Sequence, residues 1–169
     1  NYNDDKQRYV DFLTNRLHLG GDVGLSELGE RQSYIPDPSN KNQWWAPSLP
    51  NLGYGYAIEM PPIRILTLYN TVANGGRMVA PRLVREVKNG DEVVKEYPTR
   101  VMVDQICSEA TLAAVREGLE ETALTGTTKS FFRDTVALRV ASKTGTAKVA
   151  QDGDGRGVPY TANYYMGSV

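Results

Sequence analysis

The sequence predicts an α+β fold in which helices pack on an antiparallel sheet. Its first part contains two segments with helical spacing of apolar residues, and a third such segment precedes two strand-like segments near the end. Asn89-Gly90 lies between two further strand-like segments and is a preferred type I′ turn sequence. This order of elements favours layered helices and antiparallel strands over a parallel α/β sheet.

Composition limits the possible functions. The 169 residues are enough for one domain with its own core. The net charge of −1 offers no electrostatic basis for nucleic-acid binding. No apolar run approaches the roughly 18 residues of a membrane span. The single cysteine, Cys107, excludes an intrachain disulfide and most structural zinc sites, and the single histidine, His18, excludes a His-rich metal cluster.

Residues 4–18 are predicted to form an amphipathic helix, because acidic residues lie in its first turn and apolar residues share one face. That apolar face comprises Tyr9, Phe12, Leu13 and Leu17. Residues 22–57 are rich in Gly, Pro, Ser and Asn, which predicts a long ordered loop with short pieces of structure. Within this loop we expect Trp44 and Trp45 to pack in the core, because large aromatic side chains dominate buried area.

Pro61-Pro62 predicts the start of a second helix, since proline fits the first helical turn. Asn74-Gly75-Gly76 predicts its end. Residues 77–100 are predicted to form short strands that include the hairpin at Asn89-Gly90. The expected buried stripe of this helix is Ile63, Leu66, Tyr69, Val72 and Ala73.

A third helix is predicted from the N-cap Ser108 to the closing Gly126. Its apolar face contains Leu112, Val115, Leu119 and Ala123. The remaining segments are, in order, a polar loop at 125–134, a strand at 135–149, a flexible turn at 152–157 and a second strand, antiparallel to the first, at 161–169.

Lys143-Thr144-Gly145-Thr146 is the sequence motif with the clearest chemistry. Side chains alternate along a strand, so Lys143 and Gly145 are expected on one face. The ammonium group can hold a serine oxyanion or a substrate carboxylate, an interaction of about 1.5–3 kcal/mol. Glycine leaves room for close approach, and a threonine hydroxyl can donate to a carboxylate. The alternative interpretation is an edge strand that is protected from association by its lysine.

Several further blocks resemble class B penicillin-binding proteins, in the order found in that family. Leu52 to Tyr56 followed by Met60 to Leu66 looks like the family's GYG and TP-x-Q-L block. The other similar blocks are Asn74-Gly75-Gly76 with Ala80 to Val84, Val115 to Leu119 with Thr125 to Thr127, and Ala141 to Ala147 with Tyr160 to Ala162. The resemblance therefore extends over most of the chain.

The resemblance implies an incomplete penicillin-binding/serine β-lactamase-like transpeptidase fold. Residues 1–169 would be the C-terminal portion of that domain, without its final strands and helix. The chain contains no Ser-x-x-Lys and no Ser-x-Asn sequence, so the nucleophilic serine would lie upstream. The start at Asn1 and the end within the apolar run 164–169 also lead us to expect a longer natural chain.

By this resemblance Lys143 would have a catalytic role beside the active-site serine. Lys143, Thr144, Gly145 and Thr146 would bind the carboxylate of the substrate or of a β-lactam. The parent protein would cross-link peptidoglycan stem peptides at the outer face of the cytoplasmic membrane, with its anchor outside this chain. It would need no metal or organic cofactor, and proteins of the division or elongation machinery would be its partners.

Two alternatives have different activities: a serine β-lactamase, and a penicillin-binding sensor or scaffold that has lost catalysis. The fragment itself is expected to be inactive, because an acyl-enzyme needs an activated hydroxyl. Fluorescent penicillin should therefore fail to label it. Unpaired sheet edges are also expected to make the fragment dimerise by edge pairing.

Overall fold

The structure is a computed structural model that describes residues 5–25, 28–132, 139–149 and 161–168. The chain divides into two compact units, Asn1–Ser108 and Glu109–Val169. The described strands form three two-stranded sheets, each antiparallel, which confirms the α+β prediction. The helices are α1 (Lys6–Asp11), α2 (Ser48–Gly53), α3 (Pro62–Ala73) and α4 (Glu109–Leu124), and the strands are β1 (Met78–Val79), β2 (Glu86–Asn89), β3 (Glu92–Glu96), β4 (Val101–Val103), β5 (Ser142–Val149) and β6 (Thr161–Ser168).

The first predicted helix is present as α1 followed by a π-helical turn at Phe12–Arg16. The Asp5 carboxylate caps α1 by accepting the backbone N–H three residues on, at 3.0 Å. Val10 and Leu13 are buried, whereas Phe12, which we expected on the buried face, is exposed. Val10 and Leu13 are three residues apart and share one face of the helix, and helical geometry places Phe12 away from that face.

The described part of the long loop contains the predicted short pieces of structure, namely α2 and residues of two isolated antiparallel bridges, but the expected burial of its tryptophan pair is wrong. Trp45 is 52% exposed. Trp44 is half-buried and lies under the Lys6 ammonium, 5.6 Å from the ring centroid. Ser48 takes the interior position instead, because its Oγ accepts the Trp45 N–H at 3.0 Å at the start of α2.

Helix α3 begins and ends where the sequence predicts. Pro62 occupies its first turn, and Asn74 is its C-terminal cap. Gly75 and Gly76 follow at φ 69° and 89°, a region that glycine adopts without a steric penalty. The Gly76 N–H donates to the Thr71 carbonyl at 2.8 Å and its own carbonyl accepts the Ile106 N–H at 2.9 Å. This turn leads into β1, which packs against α3 and pairs with β4.

The predicted apolar stripe of α3 is wrong. The buried residues of this helix are Arg64, Thr67 and Thr71, whereas Leu66 is 56% exposed. The two threonines tolerate burial because each hydroxyl donates to the carbonyl four residues earlier, at 2.7 Å in both cases. Arg64 is held by a 2.9 Å hydrogen bond from its Nη1 to the His18 carbonyl. The buried face of α3 is therefore polar and satisfied largely by backbone carbonyls.

The predicted hairpin is confirmed as β2 and β3, which turn at Gly90 with φ 63°. In the second unit α4 begins at Glu109 as expected, with Leu112 and Ala123 buried and Val115 exposed. Strand β6 confirms the second antiparallel strand, and the predicted turn at 152–157 lies outside the described residues. Among the helices that the structure describes, none has the length and apolarity needed to cross a membrane.

Candidate functional site

The candidate site is the start of β5, where the Lys-Thr-Gly-Thr motif lies. Strand β5 pairs with β6 along its whole length, from Ser142 opposite Ser168 to Val149 opposite Thr161. The four motif residues lie in one uninterrupted register. Their partners are Gly167 for Lys143, Met166 for Thr144, Tyr165 for Gly145 and Tyr164 for Thr146.

Burial alternates at the start of β5. Ser142 is only 2% exposed, Lys143 and Gly145 are exposed, and Thr144 is half-buried. Because successive side chains point to opposite faces of a strand, Lys143 and Gly145 share the outer face. Ser142 and Thr144 share the inner face, on which α4 packs against β5. On its outer face the motif therefore presents the Lys143 ammonium, and the next residue on that face, Gly145, has no side chain.

The Lys143 ammonium forms one local contact. Its Nζ donates to the Thr144 carbonyl at 2.6 Å, and no described residue forms an ion pair with it. An ammonium group has three protons, so two donors stay available to an incoming acceptor. An exposed lysine without a carboxylate partner is suited to binding an anionic group.

One edge of β5 is open within the described part of the chain. The sheet there contains only β5 and β6, so the backbone groups on the far edge of β5 have no strand partner among described residues. An extended peptide can add to such an edge through main-chain hydrogen bonds. The Lys143 side chain lies on the same strand, so this edge combines backbone pairing with a cation.

Two side-chain contacts attach the beginning of β5 to α4 and the turn after it. The Ser142 Oγ lies 2.5 Å from the Thr128 Oγ1. Arg139 binds Glu120 of α4 with Nη2 2.8 and 2.7 Å from the two carboxylate oxygens. Hydrogen bonding to that carboxylate raises the pKa of the Arg139 guanidinium. Our sequence reasoning missed both contacts; the available signal was a polar residue, Ser142, on the inner face of a predicted strand, which needs a buried partner.

A cavity of about 520 Å³ in the first unit is a weaker candidate. It is lined mainly by apolar residues, including Leu25, Met60, Pro62 and Leu83. Its one carboxylate, Glu30, accepts three backbone contacts from residues 23 and 25 at 2.9, 3.0 and 3.1 Å. The Glu30 carboxylate therefore stabilises its own loop and is not assigned to ligand binding.

Comparisons with known proteins identify the family to which this chain is similar. The family model described as the penicillin binding protein transpeptidase domain matches residues 6–168. The peptidoglycan D,D-transpeptidase FtsI of Buchnera aphidicola is 27% identical over 136 residues, which is 80% of this chain and 22% of that protein. Penicillin-binding protein PbpB of Mycobacterium tuberculosis is 27% identical over 158 residues, which is 88% of this chain and 22% of PbpB. The chain thus spans about a fifth of the length of these relatives.

Solved structures show the same fold. Penicillin-binding protein 3 of M. tuberculosis without ligand has a TM-score of 0.73 at 24% identity, covering 96% of this chain and 36% of that one. Penicillin-binding protein 2B of Streptococcus pneumoniae has a TM-score of 0.70 at 19% identity, covering 92% of this chain and 25% of that one.

Proposed function

This chain belongs to the penicillin-binding protein transpeptidase family, and on that premise we propose that it supplies the substrate-binding strand of a peptidoglycan D,D-transpeptidase. The observation that carries this proposal is the outer face of β5. There Lys143 is exposed without a described ion-pair partner, next to Gly145 and beside an open sheet edge. Such a surface is suited to an extended peptide that ends in a carboxylate.

Each motif residue has a proposed role. The Lys143 ammonium binds the terminal carboxylate of the stem peptide, or the carboxylate of a β-lactam, and strengthens the positive field around the reacting serine. Gly145 keeps the outer face clear, so that the substrate backbone can approach β5. The family resemblance, rather than strand alternation, assigns Thr146, and secondarily Thr144, to the same carboxylate: they alternate with Lys143 along β5, so we propose that their hydroxyls donate to the carboxylate at the open edge of the strand.

The proposed reaction is acyl transfer in a longer polypeptide that contains this chain and a Ser-x-x-Lys segment. The serine hydroxyl attacks the carbonyl carbon of the D-Ala-D-Ala amide bond; this bond breaks, the terminal D-alanine leaves with the proton as a free amine, and an ester acyl-enzyme remains. An amine of a neighbouring stem peptide then attacks the acyl-enzyme, which frees the serine and completes the cross-link. The described residues contribute the binding strand to this reaction, and the proposal assigns the nucleophile to a segment outside the chain.

Location and partners follow from the same proposal. Peptidoglycan is assembled outside the cytoplasmic membrane, so we place the protein at the outer face of that membrane, with an anchor outside this chain. Its proposed partners are peptidoglycan stem peptides, β-lactams and proteins of the division or elongation machinery.

Replacing Lys143 with alanine tests the proposal in the longer polypeptide. We expect the second-order rate constant of acylation by a fluorescent penicillin to fall about tenfold to a hundredfold, because a charge-assisted hydrogen bond of about 1.5–3 kcal/mol is lost. Lys143→Arg should retain part of the rate, since it keeps the charge. The rate is followed by gel fluorescence against time at several penicillin concentrations.

The matched control is Lys129→Ala, which removes an exposed lysine from the same unit but not from β5. Its acylation rate should equal that of the unmodified protein. An unchanged rate in Lys143→Ala would contradict the proposed role of this strand. In a longer polypeptide with an intact Ser-x-x-Lys, labelling without cross-linking of stem peptides would favour the sensor alternative, and labelling of this chain alone would place the nucleophile within it.

The isolated chain is also proposed to form edge-paired dimers. Both β5 and β6 belong to a two-stranded sheet in the described part of the chain, so each has one edge without a described strand partner. Such edges promote association through main-chain hydrogen bonds. Light scattering after size-exclusion chromatography should give a mass that rises towards twice 18.7 kDa with concentration. A constant monomer mass at high concentration would refute this.

A further inference from the structure

Two buried hydroxyl groups meet between α4 and β5 in the second unit. Ser142, the first residue of β5, and Thr128, in the turn after α4, are each 2% exposed. Their hydroxyl oxygens are 2.5 Å apart. Burying a hydroxyl is unfavourable unless it is hydrogen-bonded, so each of these groups depends on the other or on a backbone group.

The direction of the hydrogen bond between them follows from a second contact. The Thr128 Oγ1 donates to the Thr122 carbonyl of α4 at 2.8 Å. A hydroxyl has one proton, so Thr128 must accept in its contact with Ser142, and Ser142 is the donor. A directed chain of hydrogen bonds therefore runs from Ser142 through Thr128 to the last turn of α4. Successive hydrogen bonds in such a chain polarise and strengthen one another.

This series of hydrogen bonds connects β5 to α4 at Ser142, one residue before Lys143. Ser142 and Lys143 are neighbours on opposite faces, about 3.3 Å apart along the strand. The Lys143 contact with Thr144 lies within β5 itself and cannot position the strand relative to α4. The Arg139–Glu120 pair joins α4 to the segment just before β5, but the Arg139 side chain is largely exposed, and such pairs contribute little.

We infer that Ser142 is a positioning residue for the substrate-binding strand: through Thr128, it sets the position at which β5 presents Lys143 to a carboxylate. Ser142 does not contact the substrate, because it lies on the buried face of the strand. This inference rests on the proposed function of Lys143. It adds a specific residue pair, Ser142 and Thr128, to the determinants of acylation.

The test measures acylation by a fluorescent penicillin in the longer polypeptide that carries the serine nucleophile. Ser142→Ala is expected to lower the second-order rate constant about tenfold. Thr128→Val should do the same, and the double variant should be no slower than either single variant, because both remove one hydrogen-bond chain. Thr128→Ser keeps the hydroxyl and should restore most of the rate.

Measuring Ser142→Ala in a protein that already carries Lys143→Ala shows whether the loss of rate comes from the position of Lys143 or from lower stability of the protein. If Ser142 acts through Lys143, then Ser142→Ala should have no further effect once the lysine is absent. A tenfold loss that persists without Lys143 would overturn the inference. All rates are compared well below the unfolding temperature of each variant, as checked by circular dichroism; should Ser142→Ala fail to fold, the Thr128→Ser and Thr128→Val pair provides the same comparison.

Arg139→Ala is the matched control, because it removes the exposed contact between α4 and the segment just before β5. Its rate should stay within about twofold of the unmodified protein. If Lys143→Ala slows acylation but Ser142→Ala and Thr128→Val do not, the positioning inference fails and the proposed function stands. If Lys143→Ala has no effect, the proposed function itself fails.

Discussion

Replacing Arg64 with alanine is expected to lower the free energy of unfolding of the first unit by about 3 to 5 kcal/mol. Its side chain is 1% exposed, and its Nη1 donates to the His18 carbonyl at 2.9 Å. Burial lowers the pKa of the guanidinium, and the carboxylates of Glu30 and Asp22 partly oppose that shift. Alanine would leave a cavity and would remove the side-chain donor to the His18 carbonyl.

Arg64→Met should be much less harmful than Arg64→Ala. The buried Nε and Nη2 of Arg64 have no hydrogen-bond partner among the described residues, so this guanidinium loses hydration without full compensation. An apolar side chain of similar length fills the space without that loss, and replacing buried charges in this way is often tolerated. We expect Arg64→Met to recover at least half of the stability that alanine loses.

Urea unfolding followed by tryptophan fluorescence measures this effect. Both tryptophans of the chain, Trp44 and Trp45, lie in the first unit, so their emission reports on that unit. The matched control is Arg77→Ala, since Arg77 is exposed and only 3.9 Å from Asp104, a distance too long for a strong pair. Equal midpoints for the alanine variants of Arg64 and Arg77 would contradict the prediction.

Replacing Gly126 with alanine is expected to destabilise the turn after α4 by about 3 kcal/mol. A β-carbon there would lie 2.9 Å from the Thr122 Cα and 3.0 Å from the Thr122 carbonyl oxygen. Both are backbone atoms, so the turn itself must move. The same carbonyl accepts the hydroxyl of Thr128, so the displacement should reach Ser142 and the start of β5.

Amide hydrogen exchange read by mass spectrometry locates this effect. Peptides that cover 118–128 and 142–145 should exchange faster in Gly126→Ala, whereas peptides from the first unit should not change. Gly118→Ala is the matched control, because no atom of the described residues outside the helix's own backbone lies within 4 Å of the added carbon and alanine is the better helix former by about 1 kcal/mol. It should slow exchange in α4; faster exchange in both variants would show that the steric argument is wrong.

The elements that the sequence predicted best are those with a local physical cause. Pro62 has a fixed φ that suits a first helical turn, and Gly75 and Gly76 adopt positive φ where α3 ends. The hairpin at Gly90 and the start of α4 at Glu109 have equally local causes. Each depends on neighbouring residues, so a single sequence is enough to predict it.

The buried face of α3 shows where this reasoning fails. An apolar stripe with helical spacing predicted that Leu66 would be inside, but Leu66 is exposed and Arg64, Thr67 and Thr71 are inside. Which face of a helix is covered depends on the segments that pack on it. For Arg64, the hydrogen-bond acceptor is His18, 46 residues earlier, and no local pattern indicates that contact.

The Lys-Thr-Gly-Thr motif could be identified without coordinates, and strand alternation was enough to predict that Lys143 and Gly145 share one face of β5. The contacts that connect this strand to the rest of the unit depend on how distant elements pack: Ser142 meets Thr128 across 14 residues, and Arg139 meets Glu120 across 19. The physical reason is the distance along the sequence over which each interaction acts. Backbone geometry sets which residues share a face within a strand, whereas the partner of a buried hydroxyl depends on how distant elements pack.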